Sequence, residues 1–145
     1  MSVERSAESV LQQDYRGRRI LLVEDEPINR EVMMFLLESV NLVVESAEDG
    51  LVALAMVERN DYALIVMDMQ MPTMDGLEAT RRIRLLSKGA SVPIIATTAN
   101  VFVDDKQRCI AAGMNDFVSK PVNPDTLFSV LLKWLVSTGA GVSGR

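Results

Sequence analysis

Short runs of Val, Ile and Leu alternate with longer helix-like stretches along most of the chain. These runs predict five strands, near residues 19–24, 41–46, 63–67, 93–97 and 116–119. The stretches between and after them predict five helices, near residues 27–39, 49–59, 76–87, 101–112 and 124–136. Strands that alternate with helices in this way are typical of an α/β domain, in which each helix crosses from one strand of a parallel sheet to the next.

The two ends of the chain differ from the middle. Residues 1–17 are polar, and their few apolar residues are spaced loosely enough for only a weak helix, so we expect an N-terminal extension or linker. Residues 138–145 have the Gly-rich composition of a flexible tail. Residues 18–137 remain as one domain, which is long enough to bury a core without disulfides or a structural metal.

Charged side chains stand at the ends of three predicted strands. Glu24 and Asp25 close the first strand. Asp68 closes the third, and Lys120 follows the fifth. Ligands of open α/β sheets gather at the carboxyl ends of the strands, so we expect these side chains to meet at one edge. Three carboxylates and an ammonium group there indicate a site for a divalent cation and a phosphoryl group.

Composition excludes several classes of function. The chain has 20 acidic and 15 basic residues and a net charge of -5, which argues against broad nucleic-acid binding. It contains no histidine, so a histidine acid, base, nucleophile or zinc ligand within the chain is excluded. Cys109, the single cysteine, favours a reducing compartment and is interpreted as an apolar filler of a helix. Neither a membrane-spanning run nor a signal peptide is found, so we expect no direct membrane contact.

Four segments together indicate a family. They are LLVEDEP at 21–27, VMDMQMPTMDG at 66–76, PIIATTAN at 93–100 and FVSKP at 117–121. In this order and at this spacing they resemble the receiver domains of two-component response regulators, and the likeness covers nearly all of residues 18–137. The first two are especially similar to receivers of hybrid sensor histidine kinases. The resemblance implies a flavodoxin-like, doubly wound sheet of five parallel strands in the order 2-1-3-4-5, with helices on both faces.

The resemblance also implies the chemistry. Asp68 would be phosphorylated, because a carboxylate can attack phosphorus and form an acyl phosphate. The donor would be the phosphohistidine of a histidine kinase or of a histidine phosphotransfer protein. Lys120 would pair first with Asp68 and then with the phosphoryl oxygens, and the Lys120–Pro121 peptide is expected to be cis.

Mg²⁺ is the implied cofactor. It prefers oxygen ligands and keeps waters that a phosphate oxygen can replace, and it would relieve the repulsion among the carboxylates. The implied ligands are Asp25, Asp68 and the backbone carbonyl of Gln70, with Glu24 bound directly or through water. Family members often have Asp in place of Glu24, and the longer side chain leaves both modes open. Asp75 precedes a helix and is interpreted as its N-cap instead.

Signal output is assigned by resemblance to Thr98 and Phe117. Thr98 would hydrogen-bond the new phosphoryl oxygens, and Phe117 would turn inward into the space that Thr98 leaves. Many relatives have Tyr in place of Phe117, so the hydroxyl that could hold the inward state is missing, and an ordinary core aromatic is the alternative interpretation.

The apolar residues of two helices, near residues 27–39 and 124–136, exceed what a two-layer core requires. The excess predicts either exposed contact surfaces or cover by the N-terminal segment. Contacts with a partner or in a homodimer are expected at the helices near residues 101–112 and 124–136.

The sequence therefore predicts a phosphoacceptor receiver domain of a phosphorelay, which switches a protein-interaction surface when Asp68 is phosphorylated. It would not be a stand-alone enzyme, although it would assist its own phosphorylation and dephosphorylation. We expect it in the cytoplasm, alone or as the cytoplasmic part of a membrane sensor kinase. One alternative is a binding module that is never phosphorylated. Another is a Mg²⁺-dependent phosphatase with an Asp nucleophile, which is disfavoured because Gln70 stands where such enzymes have a second Asp.

Overall fold

Strands and helices alternate through the computed structural model, which describes residues 5–72, 74–99 and 103–137. The strands are β1 (Arg19–Val23), β2 (Val43–Ala47), β3 (Leu64–Asp68), β4 (Ile94–Thr98) and β5 (Asp116–Ser119). The helices are α1 (Ala7–Asp14), α2 (Pro27–Ser39), α3 (Gly50–Arg59), α4 (Gly76–Arg84), α5 (Val103–Ala112) and α6 (Pro124–Ser137). A 3₁₀ turn, Ser87–Gly89, lies between α4 and β4.

All strand pairs in the sheet are parallel, and the strand order is β2-β1-β3-β4-β5. This order confirms the predicted doubly wound fold. Every residue of β3 and β4 is buried, because helices cover both faces of the central strands. Strand β2 lies at one edge of the sheet and is mostly half-buried or exposed.

The alternation of side chains along the strands divides the apolar residues into two cores. On one face, residues such as Leu21 and Ile65 pack with residues of α3, α4 and α5. On the other face, residues such as Leu22 and Val66 pack with residues of α1, α2 and α6. Cys109 is buried in the first core, which agrees with its interpretation as an apolar filler.

Two predicted element boundaries are wrong for identifiable reasons. Helix α2 ends in a Schellman turn, in which Asn41 takes a φ of 66° and the N–H of Leu42 bonds to the carbonyl of Leu37 at 3.4 Å. Strand β2 therefore starts at Val43 and not at residue 41. Helix α4 ends at Arg84, before the predicted residue 87, because the chain folds back over the end of the helix through the 3₁₀ turn.

Helix α1 packs against the domain. Ser6 caps it by accepting a hydrogen bond from the Ser9 N–H, and Leu11 and Tyr15 are buried in the second core together with residues of α2 and α6. Gln12 donates to the carbonyl of Ser39 at 3.1 Å. The excess apolar surface of α6 is thus partly covered by the N-terminal segment. The domain boundaries at residues 18 and 137 stay predictions, and residues 138–145 lie outside the described residues.

Candidate functional site

Three carboxylates meet at the carboxyl edge of the sheet. Val23 pairs with Met67 in the register of β1 and β3, so the residues after them, Glu24 and Asp68, are neighbours. One oxygen each of Glu24, Asp25 and Asp68 lie within 4.8 Å of one another. Glu24 and Asp68 are only 2% and 3% exposed, whereas Asp25 is half-buried. The sheet therefore brings together the acidic residues that the sequence placed at this edge.

Lys120 completes the cluster from the end of β5. Its Nζ donates a hydrogen bond to Asp68 Oδ1 at 3.0 Å and lies 3.6 Å from Glu24 Oε1. The Lys120 N–H donates to the carbonyl of Thr98 at 2.8 Å, and the Lys120–Pro121 peptide is cis. The lysine is thus held by its backbone as well as by its ion pairs.

The cluster carries more negative than positive charge. Burial, followed by the charge of Asp68, raises the pKa of Glu24 to about 7, although Lys120 works in the opposite direction. Burial by itself lowers the pKa of Lys120. The hydrogen bond to Asp68 and the charges of Asp68 and Glu24 together outweigh this effect, so the pKa of Lys120 is raised. One ammonium group therefore does not balance the three carboxylates, and a further cation would stabilise the ionised cluster.

The loop after β3 also holds the Asp68 carboxylate. The backbone N–H of Gln70 donates to Asp68 Oδ1 at 3.2 Å, and its own side chain is exposed. A Cβ at Gly76 would lie 2.4 Å from the carbonyl oxygen of Asp68, so this close approach requires glycine.

Asp75 accepts a hydrogen bond from the Glu78 N–H at 2.9 Å and so caps α4. This contact agrees with the interpretation of Asp75 as an N-cap.

Arg30 contributes to the site and was missed by sequence reasoning. Its Nη1 donates to the carbonyl of Glu24 at 2.9 Å and to that of Asp25 at 3.5 Å. The side chain of Glu26 caps the first turn of α2, which starts directly after it. The loop that carries the acidic pair is therefore fixed by its own helix. The only signal in the sequence is a basic residue in the first turn after the pair.

Thr98 and its neighbour Thr97 are both buried at the end of β4, but they line different cavities. Thr98 lines a cavity of about 490 Å³ together with Gln70 and Arg108. Thr97 lines a cavity of about 200 Å³ together with Glu24 and Lys120. In this conformation, Thr98 therefore lines the same cavity as the loop after β3.

Phe117 lies on β5 beside Ala96 of β4 and is half-buried. Lys106, an exposed residue of α5, places its Nζ 4.8 Å from the centroid of the Phe117 ring. Sequence reasoning did not find this contact, because the two residues lie on different elements and neither belongs to a pattern that links them.

An exposed apolar surface adjoins the cluster. Ile28, Val32 and Phe35 follow one another along α2, and they are 69%, 53% and 71% exposed. Val32 also lines the smaller cavity with Lys120, so this surface continues to the edge of the charged site. Part of the predicted apolar excess of α2 is therefore open to solvent.

The fold and this geometry agree with what known proteins show. The family model of the response regulator receiver domain matches residues 20–132. The chain belongs to this family. The family and the fold predicted from the sequence are thereby confirmed, and the charged cluster occupies the sheet edge where ligands of such folds gather.

A curated relative is the sensor histidine kinase RcsC of Salmonella typhimurium, which is 40% identical over 112 residues. The match covers 77% of this chain but only 12% of that kinase, so the chain corresponds to one part of it.

Among the helices in the described part of the chain, none has both the length and the apolar character needed to span a membrane.

Solved receiver domains are similar in structure. The receiver domain of sensor histidine kinase PA1611 from Pseudomonas aeruginosa is 42% identical, with a TM-score of 0.78, and the match covers 83% of this chain and 98% of that one. That structure has a magnesium ion coordinated in the active site cleft. The receiver domain of Ssk1 from Saccharomyces cerevisiae, in complex with the histidine phosphotransfer protein Ypd1, is 27% identical. Its TM-score is 0.79, with 89% and 94% of the two chains covered.

Proposed function

We propose that this receiver domain accepts a phosphoryl group on Asp68 from the phosphohistidine of a partner protein and thereby switches a protein-interaction surface. The proposal rests on the burial and the charged neighbours of Asp68. Its carboxylate is buried at the end of β3, lies 3.0 Å from the Lys120 ammonium, and shares the edge with two further carboxylates.

Asp68 is the nucleophile in this proposal. One of its carboxylate oxygens forms the new P–O bond while the P–N bond of the phosphohistidine breaks, and the imidazole leaves with that electron pair. The N–H of Gln70 and the ammonium of Lys120 both bind Asp68 Oδ1 and fix the direction of the carboxylate. After transfer, Lys120 is close enough to bind the phosphoryl oxygens, where a positioned charge stabilises the group.

The donor set of the cluster fits Mg²⁺. Carboxylate oxygens that converge within 4.8 Å are the hard ligands this ion prefers. Burial, followed by the charge of Asp68, raises the pKa of Glu24 to about 7, and a bound cation would favour the ionised form of this carboxylate. Asp25, Asp68 and the carbonyl of Gln70 would hold the ion, and Glu24 would bind it directly or through water. When bound, the ion would neutralise charge on the transferring group. The magnesium of the PA1611 receiver supports this assignment.

The phosphohistidine must come from outside this chain, which contains no histidine. A histidine kinase or a histidine phosphotransfer protein is the proposed donor, and the complex of Ypd1 with the Ssk1 receiver supports it. The exposed apolar surface of α2, formed by Ile28, Val32 and Phe35, would receive the donor beside Lys120. We place the domain in the cytoplasm, alone or as the cytoplasmic part of a sensor kinase.

Output would follow through Thr98 and Phe117. Thr98 would move toward the phosphoryl oxygens, and Phe117 would turn inward as the space beside β4 opens. Contacts with a second copy or a partner through α5 and α6 stay a prediction. Helix α1 packs against α6, so less of that helix is available than the sequence indicates.

Phosphorylation by a small-molecule donor tests the proposal. Incubation of the wild type with phosphoramidate and Mg²⁺ should add one phosphate, which intact-mass spectrometry detects, and EDTA should prevent the addition. Asp68→Asn should remain unmodified. Asp75→Asn is the matched control, because Asn still caps α4, and it should be labelled like the wild type. Label on Asp68→Asn would contradict the proposal, and no label on the wild type would favour a module that only binds partners.

A further inference from the structure

The face of the Phe117 ring carries a cation. Lys106 Nζ lies 4.8 Å from the ring centroid, within the distance at which an ammonium group is attracted by the negative face of an aromatic ring. Lys106 belongs to α5, whereas Phe117 belongs to β5 and pairs with Ala96 of β4. The contact therefore joins the helix after β4 to the strand that leads to Lys120.

This contact depends on where the ring lies. Phe117 is half-buried, and Lys106 is exposed, so they meet at the boundary between core and solvent. A lysine keeps its ammonium in water and can cover apolar surface only with its stem. A ring that turned into the core would leave that boundary, and the contact would be lost. The attraction to Lys106 thus stabilises the outer position of the ring.

We propose that Lys106 is a positioning residue, which holds Phe117 in its outer position and so sets the resting balance of the switch. The inference rests on the proposed function, because it requires that a phosphoryl group on Asp68 and the inner position of Phe117 favour each other. Coupling of this kind is reciprocal. A contact that stabilises the outer position of the ring therefore weakens the binding of a phosphoryl analogue at Asp68.

Beryllofluoride, used with Mg²⁺, is the probe for this coupling, and calorimetry measures its affinity. Lys106→Gln should bind it about two- to fivefold more tightly than the wild type, the range expected for losing an exposed cation–aromatic contact. Lys106→Arg keeps the cation and should bind like the wild type.

Lys133 supplies a matched control. Its Nζ lies 5.3 Å from the centroid of the Trp134 ring and 3.7 Å from Asp116 Oδ2, so Lys133→Gln removes a similar ring contact on α6 together with an ion pair. The contact of Lys106 with the Phe117 ring stays in place. This variant should leave the affinity unchanged. In a Phe117→Leu background there is no ring for Lys106 to hold, so the further change of Lys106→Gln should have no effect.

A direct measurement of the contact accompanies the titrations. The ring current of Phe117 should shift the NMR signals of the Lys106 side-chain methylene protons, and this shift should disappear in Phe117→Leu and on adding beryllofluoride. Equal affinity of Lys106→Gln and wild type, or an effect that persists without the Phe117 ring, would overturn the role of Lys106 and leave the proposed function standing. A wild type that binds no beryllofluoride would overturn both.

Discussion

At the scale of single residues, the site is governed by an excess of negative charge. Glu24, Asp25 and Asp68 converge, and Lys120 is the ammonium group that faces them. Burial makes the imbalance more costly, because charges in the interior are poorly screened. A bound divalent cation should therefore stabilise the folded protein as well as prepare it for phosphoryl transfer.

Thermal unfolding in the presence and absence of Mg²⁺ measures this stabilisation. At a concentration ten times the dissociation constant, Mg²⁺ should stabilise the wild type by about 1.4 kcal/mol. Asp25→Ala should lose most of this gain, and Glu24→Ala should lose less, since Asp25 is assigned as a direct ligand whereas Glu24 is assigned to bind directly or through water. Asp75→Asn should gain as much as the wild type. An undiminished gain in the Asp25 variant would remove this residue from the ligand set.

At the scale of secondary-structure elements, Arg84 joins the end of α4 to the starts of two strands. Its guanidinium donates to the carbonyls of Gly89, Val92 and Gly113 and to the side chain of Asn115, at 2.7–2.9 Å. Burial lowers the pKa of Arg84, and these acceptors replace the water that it loses. The sequence could not reveal this role, because it depends on two loops, those before β4 and before β5, that meet only in the folded chain.

Removing this arginine should cost more than removing an exposed one. Arg84→Met leaves several buried carbonyls without a donor, so urea unfolding should show a loss of about 3 kcal/mol. Arg84→Lys should recover only part of it, because an ammonium group cannot reach the separate acceptors at once. Arg82→Met is the control, since this residue forms an exposed ion pair with Glu78 and its loss should cost much less. Equal losses at the two positions would contradict the joining role of Arg84.

The edge of the sheet holds a second charged network, in which strand β2 is tied to β1. Tyr62 donates to Glu45 Oε1 at 2.7 Å, and Arg19 forms an ion pair with the same carboxylate. The hydrogen bond from Tyr62 is the largest cause that lowers the pKa of Glu45 below 4.5, and the hydrogen bond from Arg19 is the next. Burial and the bond to Glu45 raise the pKa of Tyr62 to about 12.

The sign of the resulting pH dependence follows from the lowered pKa. Glu45 stabilises the fold fully above its ordinary pKa of 4.5, and this contribution is lost as the pH falls through the lowered value. Glu45→Gln should therefore be less stable than the wild type at pH 7, and the difference should shrink as the solution is acidified. Urea unfolding across the pH series measures it, with Glu58→Gln as the exposed control. A difference that does not change with pH would contradict this account of Glu45.

At the scale of the whole molecule, the sequence predicts the sheet and the placement of the acidic residues well. Parallel strands end at one edge, so Glu24 and Asp68 had to meet once their strands were recognised. The contacts of Arg30 and Lys106 could not be predicted, because they depend on side-chain positions and on the packing of helices. The sequence predicts the packing of α1 against α6 only as one of two alternatives. The few apolar residues of α1 form a weak helical pattern, and they are buried only because α6 lies beside them.

The identity of the phosphorylated residue is the central claim, and chemical mapping tests it most directly. Sodium borohydride reduces an aspartyl phosphate to homoserine, which marks the position in a peptide digest. After reaction of the wild type with phosphoramidate and Mg²⁺, the account predicts homoserine at position 68 and unmodified residues at Glu24 and Asp25. Homoserine at Asp25, or a digest without reduced product from a protein whose intact mass shows phosphate, would contradict it.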